Sequence, residues 1–214
     1  MKAVNPENRS IILASGSPRR RELTRRIGFE PIVEVSSIPE VHEPSESPIQ
    51  YARRLAVEKA RDVASSLRET PPRWILSADT IVVHDGDILE KPADSDDAKA
   101  MLRRLSDDEH EVITAFCWTW PSASGEDDGP LEVVRDVSAR VWLRRLDDEM
   151  IARYVATGEP MDKAGSYGIQ DVGAVLVRRL QGSYFAVVGL PVCEVVETLQ
   201  QLGGLESYPF DDKN

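Results

Sequence analysis

Five arginines, Arg19, Arg20, Arg21, Arg25 and Arg26, fall within eight residues directly after the tetrapeptide Ser15-Gly16-Ser17-Pro18. Ser17 is a good N-cap, and Pro18 suits the first helical position because the N–H it lacks would have no intrahelical partner. The bend before the helix therefore collects free backbone N–H groups, two hydroxyls, a glycine and the positive end of a helix dipole. Such a place attracts phosphate. Cations in a first helical turn are unfavourable unless an anion sits beside them. Arg19 and Arg20 occupy that turn, so bidentate phosphate recognition is the sharper reading for them. Arg21, Arg25 and Arg26 fit the plainer reading of a solvated helix face, since Leu23 and Ile27 are the only strong apolar anchors nearby.

Other charges stand where charge needs a reason. Lys59 lies within the apolar stripe Ala52, Leu55, Ala56, Ala60, Val63 and Leu67 of a helix predicted from Pro48 to Leu67. Turned inward it requires an anion; at the stripe's edge it snorkels to solvent. Asp79 follows a predicted strand, Trp74–Ala78, and a partly desolvated carboxylate there needs a metal, a cation or a catalytic task. The alternative is a strand-end turn aspartate. Glu40, in a long polar loop, could share a divalent metal with Asp79, although surface loops are full of glutamates. Lys91, before Pro92, is free to reach a phosphate or simply solvent. Arginines and lysines around a helix N-terminus, with carboxylates to hold magnesium and activate water, suggest metal-assisted hydrolysis of a nucleotide. No GxxxxGK[ST], HRD, DFG or GxSxG pattern occurs, which disfavours P-loop NTPases, kinases and serine hydrolases.

The elements that position these residues alternate early between strand and helix. Ile11–Leu13 reads as a buried strand, Gly28 ends the first helix, and Pro31–Val35 reads as a second strand. Thr70-Pro71-Pro72 makes a stiff break after the second helix. Ile81–Glu90 predicts a hairpin turned by Asp85-Gly86. A helix over Ser95–Leu105 follows, then Glu111–Trp120, whose alternation predicts a half-buried antiparallel strand. Residues 121–130 read as an exposed hairpin loop, Leu131–Leu146 as a returning strand, and Asp147–Thr157 as a helix closed by Gly158. Met161–Gln170 is too small and polar for a regular element. Val172–Leu180 and Tyr184–Val188 predict a hairpin around Gln181-Gly182-Ser183, and a helix over Pro191–Leu202 is stopped by Gly203-Gly204. The pattern predicts an α/β fold, with a curved mixed sheet, flanking helices and two lobes about a cleft. One domain is expected over 1–204 and a tail over 205–214.

The composition is that of a globular chain: 214 residues, 41% hydrophobic and 29% charged, with a net charge of −11. An acidic surface opposes nucleic acid and anionic membrane, and leaves the local basic bend to a small anion. The N-terminal stretch lacks the apolar core of a secretory signal and no run approaches a membrane span, so a cytoplasmic protein is expected. Cys117 and Cys193 read as buried free thiols, and His42, His84 and His110, at no metal-ligand spacing, as turn or surface residues.

Several motifs in order resemble the Maf family of nucleoside triphosphate pyrophosphatases: LASGSPRR at Leu13–Arg20, LAVEKA at Leu55–Ala60, SADTIV at Ser77–Val82, LEKP at Leu89–Pro92, HEVIT at His110–Thr114, EPMDKAGSYGIQ at Glu159–Gln170 and GLP at Gly189–Pro191. The resemblance implies hydrolysis between the α- and β-phosphates with Mg2+ or Mn2+, in a fold akin to the inosine triphosphate pyrophosphatases and usually in a homodimer. It implies nucleotide-pool house-cleaning; the alternative is a non-catalytic nucleotide-binding regulator of cell division. By the same resemblance, Ser15, Ser17, Arg19 and Arg20 belong to the phosphate loop, Lys59 and Lys91 point into the cleft, and Asp79 is the essential carboxylate. Glu40 is its metal partner, although the family's acidic S-D-I-D-E pattern here reads Ser36-Ser37-Ile38-Pro39-Glu40. Ser166, Tyr167 and Gln170 lie in the stretch facing the base, and GSYGIQ resembles the subgroup acting on dTTP and UTP. A glutamine amide can donate to a pyrimidine carbonyl and accept from N3–H. Asp171 stands where the family's pattern has glycine.

Overall fold

The computed structural model describes residues 9–67, 73–121, 131–205 and 208. The Thr70-Pro71-Pro72 break, nearly all of the loop expected at 121–130 and most of the expected tail lie outside the described residues. Leu205, assigned to that tail, is buried in the core beside Trp74 and Leu199.

Seven strands among the described residues form one mixed sheet: β1 (Ser10–Leu13), β2 (Glu30–Val33), β3 (Ile75–His84), β4 (Asp87–Leu89), β5 (Glu109–Trp120), β6 (Leu131–Leu143) and β7 (Val177–Gly182). Their order is β2-β1-β3-β5-β6-β7, with β4 on β3. The helices are α1 (Pro18–Arg26), α2 (Pro48–Ser66), α3 (Ser95–Leu105), α4 (Asp148–Ala156), α5 (Tyr184–Val188) and α6 (Val192–Gln201). Side-chain caps mark the starts of α2, α3 and α4. Ser47 and Gln50 close a capping box on α2, Asp94 caps α3 and Asp147 caps α4.

β3 is the axis of the molecule. One of its edges pairs with β5 from Ile75 to Val83. The other pairs with β1 only at Ile75 and Leu76, and with β4 only from Val82 to His84. Between those contacts, Ser77–Ile81 has no strand partner on that edge among the described residues, and the cleft opens at this gap. Asp79 is therefore in the middle of a ten-residue strand, not at the end of a short one as the sequence suggests. The bare edge opens the cleft beside a charged side chain within this largely buried strand.

Alternation along β3 sends Ser77 and Asp79 to the α2 face, where Ser77 Oγ donates to the Ala56 carbonyl at 2.5 Å. Thr80 points to the other face. On the α2 side Ile12, Leu55, Ile75 and Ile113 form one core. Leu13, Leu76, Phe116, Trp118 and Leu199 form another on the α6 side, and Leu102, Leu105, Val141 and Tyr154 a third near β7.

Three expectations need correction. β5 is buried on both faces from Val112 to Thr119, because β3 and β6 pair its edges while α2 covers one face and α5 and α6 the other. The hairpin expected over Val172–Leu180 and Tyr184–Val188 is a 3-10 turn (Val172–Leu176), then β7, then α5. Ser183 caps α5 by accepting from Ala186 N at 3.2 Å, a local bond that a short apolar run does not reveal. Cys193 is exposed and only Cys117 is buried. The turn at Asp85-Gly86 stands as expected, with φ of 52° and 84°, the positive pair that a tight hairpin requires.

Candidate active site

The cleft at the β3 gap has a volume of about 580 Å³ and is walled by the bend before α1, the start of α2, and the segment from Met161 to Gln170. Ser17 caps α1 as predicted, although its bond from Arg20 N is long at 3.5 Å. Ser15 Oγ accepts from Ser17 N at 3.3 Å and from Arg20 Nη1 at 3.1 Å. The other two nitrogens of Arg20 donate to the Gly189 carbonyl at 2.9 Å and to Thr80 Oγ1 at 3.0 Å. Thr114 gives its hydroxyl proton to the Ala186 carbonyl at 2.7 Å, so in the 2.8 Å contact between the two threonines Thr80 is the donor. Arg20 is thus fixed by three neutral oxygens. Among the described residues no carboxylate pairs with it, and desolvation lowers its pKa against the pull of Asp79. A guanidinium held this way favours an incoming anion. Arg21, Arg25 and Arg26 are exposed, as expected of a solvated face.

On the opposite face of β3, Lys59 is turned inward and only 8% exposed. Its ammonium lies 2.6 Å from Asp79 Oδ1 and 2.6 Å from Glu40 Oε1. Burial opposes the charge on Glu40, but Lys59, with Lys91 and Arg20 beyond it, outweighs burial and holds the carboxyl below its ordinary value. The loop carrying Glu40 is tied to α2 at both sides. Asp62 accepts from Ser36 Oγ at 2.7 Å and Ser37 N at 3.0 Å, and Arg54 donates to the Val41 carbonyl at 2.8 Å while pairing with Glu46. Magnesium is usually held by one or two carboxylates plus substrate phosphates. Two carboxylates converging on one cation fit that demand, and among the described residues no larger His, Cys, Asp and Glu cluster exists. Lys91 also lines the cleft and is exposed.

The far wall is built from short 3-10 turns. Gln170 lines the cleft, and its carboxamide has no hydrogen-bond partner among the described residues. Tyr167 lines it too, and its hydroxyl meets His110 Nε2 at 2.7 Å. Ser166 does not join them. It is fully buried, with Oγ 3.1 Å from Met101 Sδ, because its φ of 61° turns the side chain away from the cleft. Arg19 reaches across to this wall and pairs with Asp162 at 3.0 Å, and Lys163 pairs with the same carboxylate at 2.7 Å. Thr80, Asp162 and Lys163 are site residues that the sequence reading passed over. Thr80 sits beside Asp79 in the sequence, and the other two lie inside the MDKAGSYGIQ stretch.

Asp171 adopts φ 46° and ψ −138°, a backbone state that favours glycine. Asp171→Gly is expected to raise stability by about 1 kcal/mol, or Tm by about 3 °C, as relieved strain exceeds the added freedom of the unfolded chain. Differential scanning calorimetry checks this, and an unchanged or lower Tm would show that the strain is not there.

His84 and His110 are buried, at 6% and 2% exposure, rather than at the surface as expected. Desolvation, helped by nearby His84 and opposed by Asp108, holds the His110 pKa down at about 4. Its unfolded value is about 6.5, so the unfolded chain binds the extra proton first on acidification. The stability it contributes is whole above that value and is lost as pH falls through the folded pKa. Between pH 7 and pH 4 the loss amounts to about 3 kcal/mol. Urea unfolding of the wild type and His110→Gln across that range should show the wild type losing more; parallel curves would exclude His110 as the source.

A mixed sheet split along one edge of its central strand, with a guanidinium that no carboxylate among the described residues pairs on one face of the split and a carboxylate–ammonium–carboxylate bridge on the other, defines an α/β protein suited to holding a polyphosphate beside an acid–base group. Residues 10–202 match the family described as Maf-like protein, and the chain belongs to that family. The dTTP/UTP pyrophosphatase of Geobacter metallireducens is 50% identical over 200 residues, covering 94% of this chain and 100% of its own. That of Shigella dysenteriae is 48% identical over 199 residues, covering 92% and 94%. Among solved structures, the nucleoside-triphosphatase / dITP/XTP pyrophosphatase of Mycobacterium abscessus aligns with 90% of this chain and 97% of its own, at 17% identity and a TM-score of 0.43. Among the described residues no helix is long and apolar enough to cross a membrane.

Proposed function

We propose that this chain hydrolyses dTTP and UTP between the α- and β-phosphates, releasing the nucleoside monophosphate and pyrophosphate, with a divalent cation such as magnesium or manganese. The observation that carries the reading is the Lys59 bridge to Asp79 and Glu40, set across β3 from an Arg20 that no carboxylate among the described residues pairs. The names of the relatives point the same way.

In this reading the amide-rich bend and Arg20 receive the triphosphate tail, and Arg19 exchanges Asp162 for phosphate oxygens. Asp79 Oδ1 is held by Lys59, which leaves Oδ2 to accept a proton as water attacks phosphorus at the α–β bridge. Lys59 and Lys91 offset charge that develops on the phosphoryl oxygens as the bridging bond breaks. Glu40 and Asp79 would hold the divalent cation, which when bound would supply Lewis-acid polarisation of phosphoryl oxygens. Gln170 reads the pyrimidine edge by donating to a carbonyl and accepting from N3–H. A cytoplasmic homodimer is part of the same proposal. No observation favours the reading as a non-catalytic regulator of cell division.

Chromatography of dTTP and UTP digests made with magnesium decides the matter. The expected products are dTMP or UMP together with pyrophosphate. Nucleoside diphosphate plus phosphate, or no turnover of either nucleotide, overturns the proposal.

A further inference from the structure

The turn that carries Gln170 is strapped at both ends to one side-chain unit. Upstream, Gly168 N donates to the Tyr154 hydroxyl at 3.1 Å. Downstream, Val172 N donates to Glu159 Oε2 at 3.1 Å and Gly173 N to Glu159 Oε1 at 3.0 Å. The unit is closed by Tyr154, which donates its own proton to Glu159 Oε1 at 2.9 Å. Both straps bear on backbone N–H groups, so they fix the path of the chain rather than one rotamer. The packing leaves no slack: a Cβ on Gly173 would stand 2.3 Å from the Gly168 carbonyl and 2.5 Å from the Tyr154 hydroxyl. Lys163 Nζ donates to the Glu159 carbonyl at 2.6 Å, tying the same unit to the cleft wall.

We infer that Glu159, acting with Tyr154, is a specificity-positioning residue: it holds the 168–173 turn so that the Gln170 carboxamide meets the base edge in register. The inference rests on Gln170 reading the base. Neither Glu159 nor Tyr154 touches the triphosphate tail or Asp79 in this account, so their loss acts on choice of base before it acts on chemistry. Hydrogen-bonded discrimination depends on placement, and a shift of about 1 Å can cost as much as a hundredfold.

The test compares kcat/KM for dTTP and dCTP in the wild type, Gln170→Ala, Glu159→Gln and Tyr154→Phe, well below each variant's Tm. Cytosine lacks the N3–H and carbonyl pair that thymine offers the amide. Glu159→Gln and Tyr154→Phe are expected to lower the dTTP over dCTP ratio about tenfold while the inhibition constant of pyrophosphate stays within about twofold of wild type. Tyr154→Phe keeps the ring's packing, so the question stays answerable if Glu159→Gln does not fold. A ratio collapsed by Gln170→Ala but kept by the other two variants overturns the positioning role. A ratio that Gln170→Ala leaves untouched overturns the base-reading role and the inference with it. Equal losses for both nucleotides in Glu159→Gln and Tyr154→Phe reduce the unit to a structural one and also overturn it.

Discussion

Asp79→Asn is expected to lower kcat for dTTP by about a thousandfold, within the range that a positioned general base contributes, while substrate binding is largely kept. The change is isosteric and keeps an oxygen for Lys59, whose ammonium lies 2.6 Å from Oδ1. Arg20 and the bend before α1 stay as they are, since their partners are Ser15, Thr80 and Gly189. What disappears is the carboxylate oxygen able to take a proton from water, and with it the negative charge of one of the two carboxylates proposed for the cation. Single-turnover kinetics separate the chemical step from binding. A variant within about tenfold of wild type would move the base to another group.

Lys59→Met should act on stability as well as rate. The ammonium links two carboxylates whose side chains are 8% and 39% exposed, and removing it leaves the more buried one, Asp79, without its direct ion-pair partner and with only the more distant charge of Arg20. Breaking a buried pair by deleting one partner costs roughly 3–5 kcal/mol, which for a chain of this size lowers Tm by about 10 °C. Methionine keeps the apolar stem, so lost packing contributes little. Magnesium should then raise the variant's Tm more than the wild type's, because the two carboxylates no longer share a lysine. Thermal shift with and without magnesium reads this without any turnover. An unchanged Tm would mean that the bridge holds nothing together, and a magnesium response no larger than wild type's would take Glu40 and Asp79 out of the cation site.

What the sequence made legible was local. Ser17 before Pro18, Ser47 before Pro48 and Asp85-Gly86 each act within a few residues, and all three form the cap or turn they signal. Lys59 could be suspected because helical period places it among alanines and leucines, and its burial follows from that. Asp79 was found, but its setting was misread, since an acidic residue after an apolar run resembles a strand's end. Its tolerance mid-strand depends on a gap that only the pairing of β1 and β4 on one edge creates. The full burial of β5 depends likewise on layers formed elsewhere in the chain. His110 looked ordinary in sequence, because nothing near it announces Tyr167. Ser166 shares a motif with Gln170, yet a single positive φ sends it into the core.

The anchoring of Arg20 by the Gly189 carbonyl joins residues 169 positions apart. A chain leaving the ribosome has therefore made every charged group proposed for the chemistry long before α5 exists to hold the guanidinium. A product truncated ahead of α5 would carry the whole set and still lack the geometry. The setting of the guanidinium on the α1 side of the cleft is thus completed only when the chain has been made as far as the end of α5.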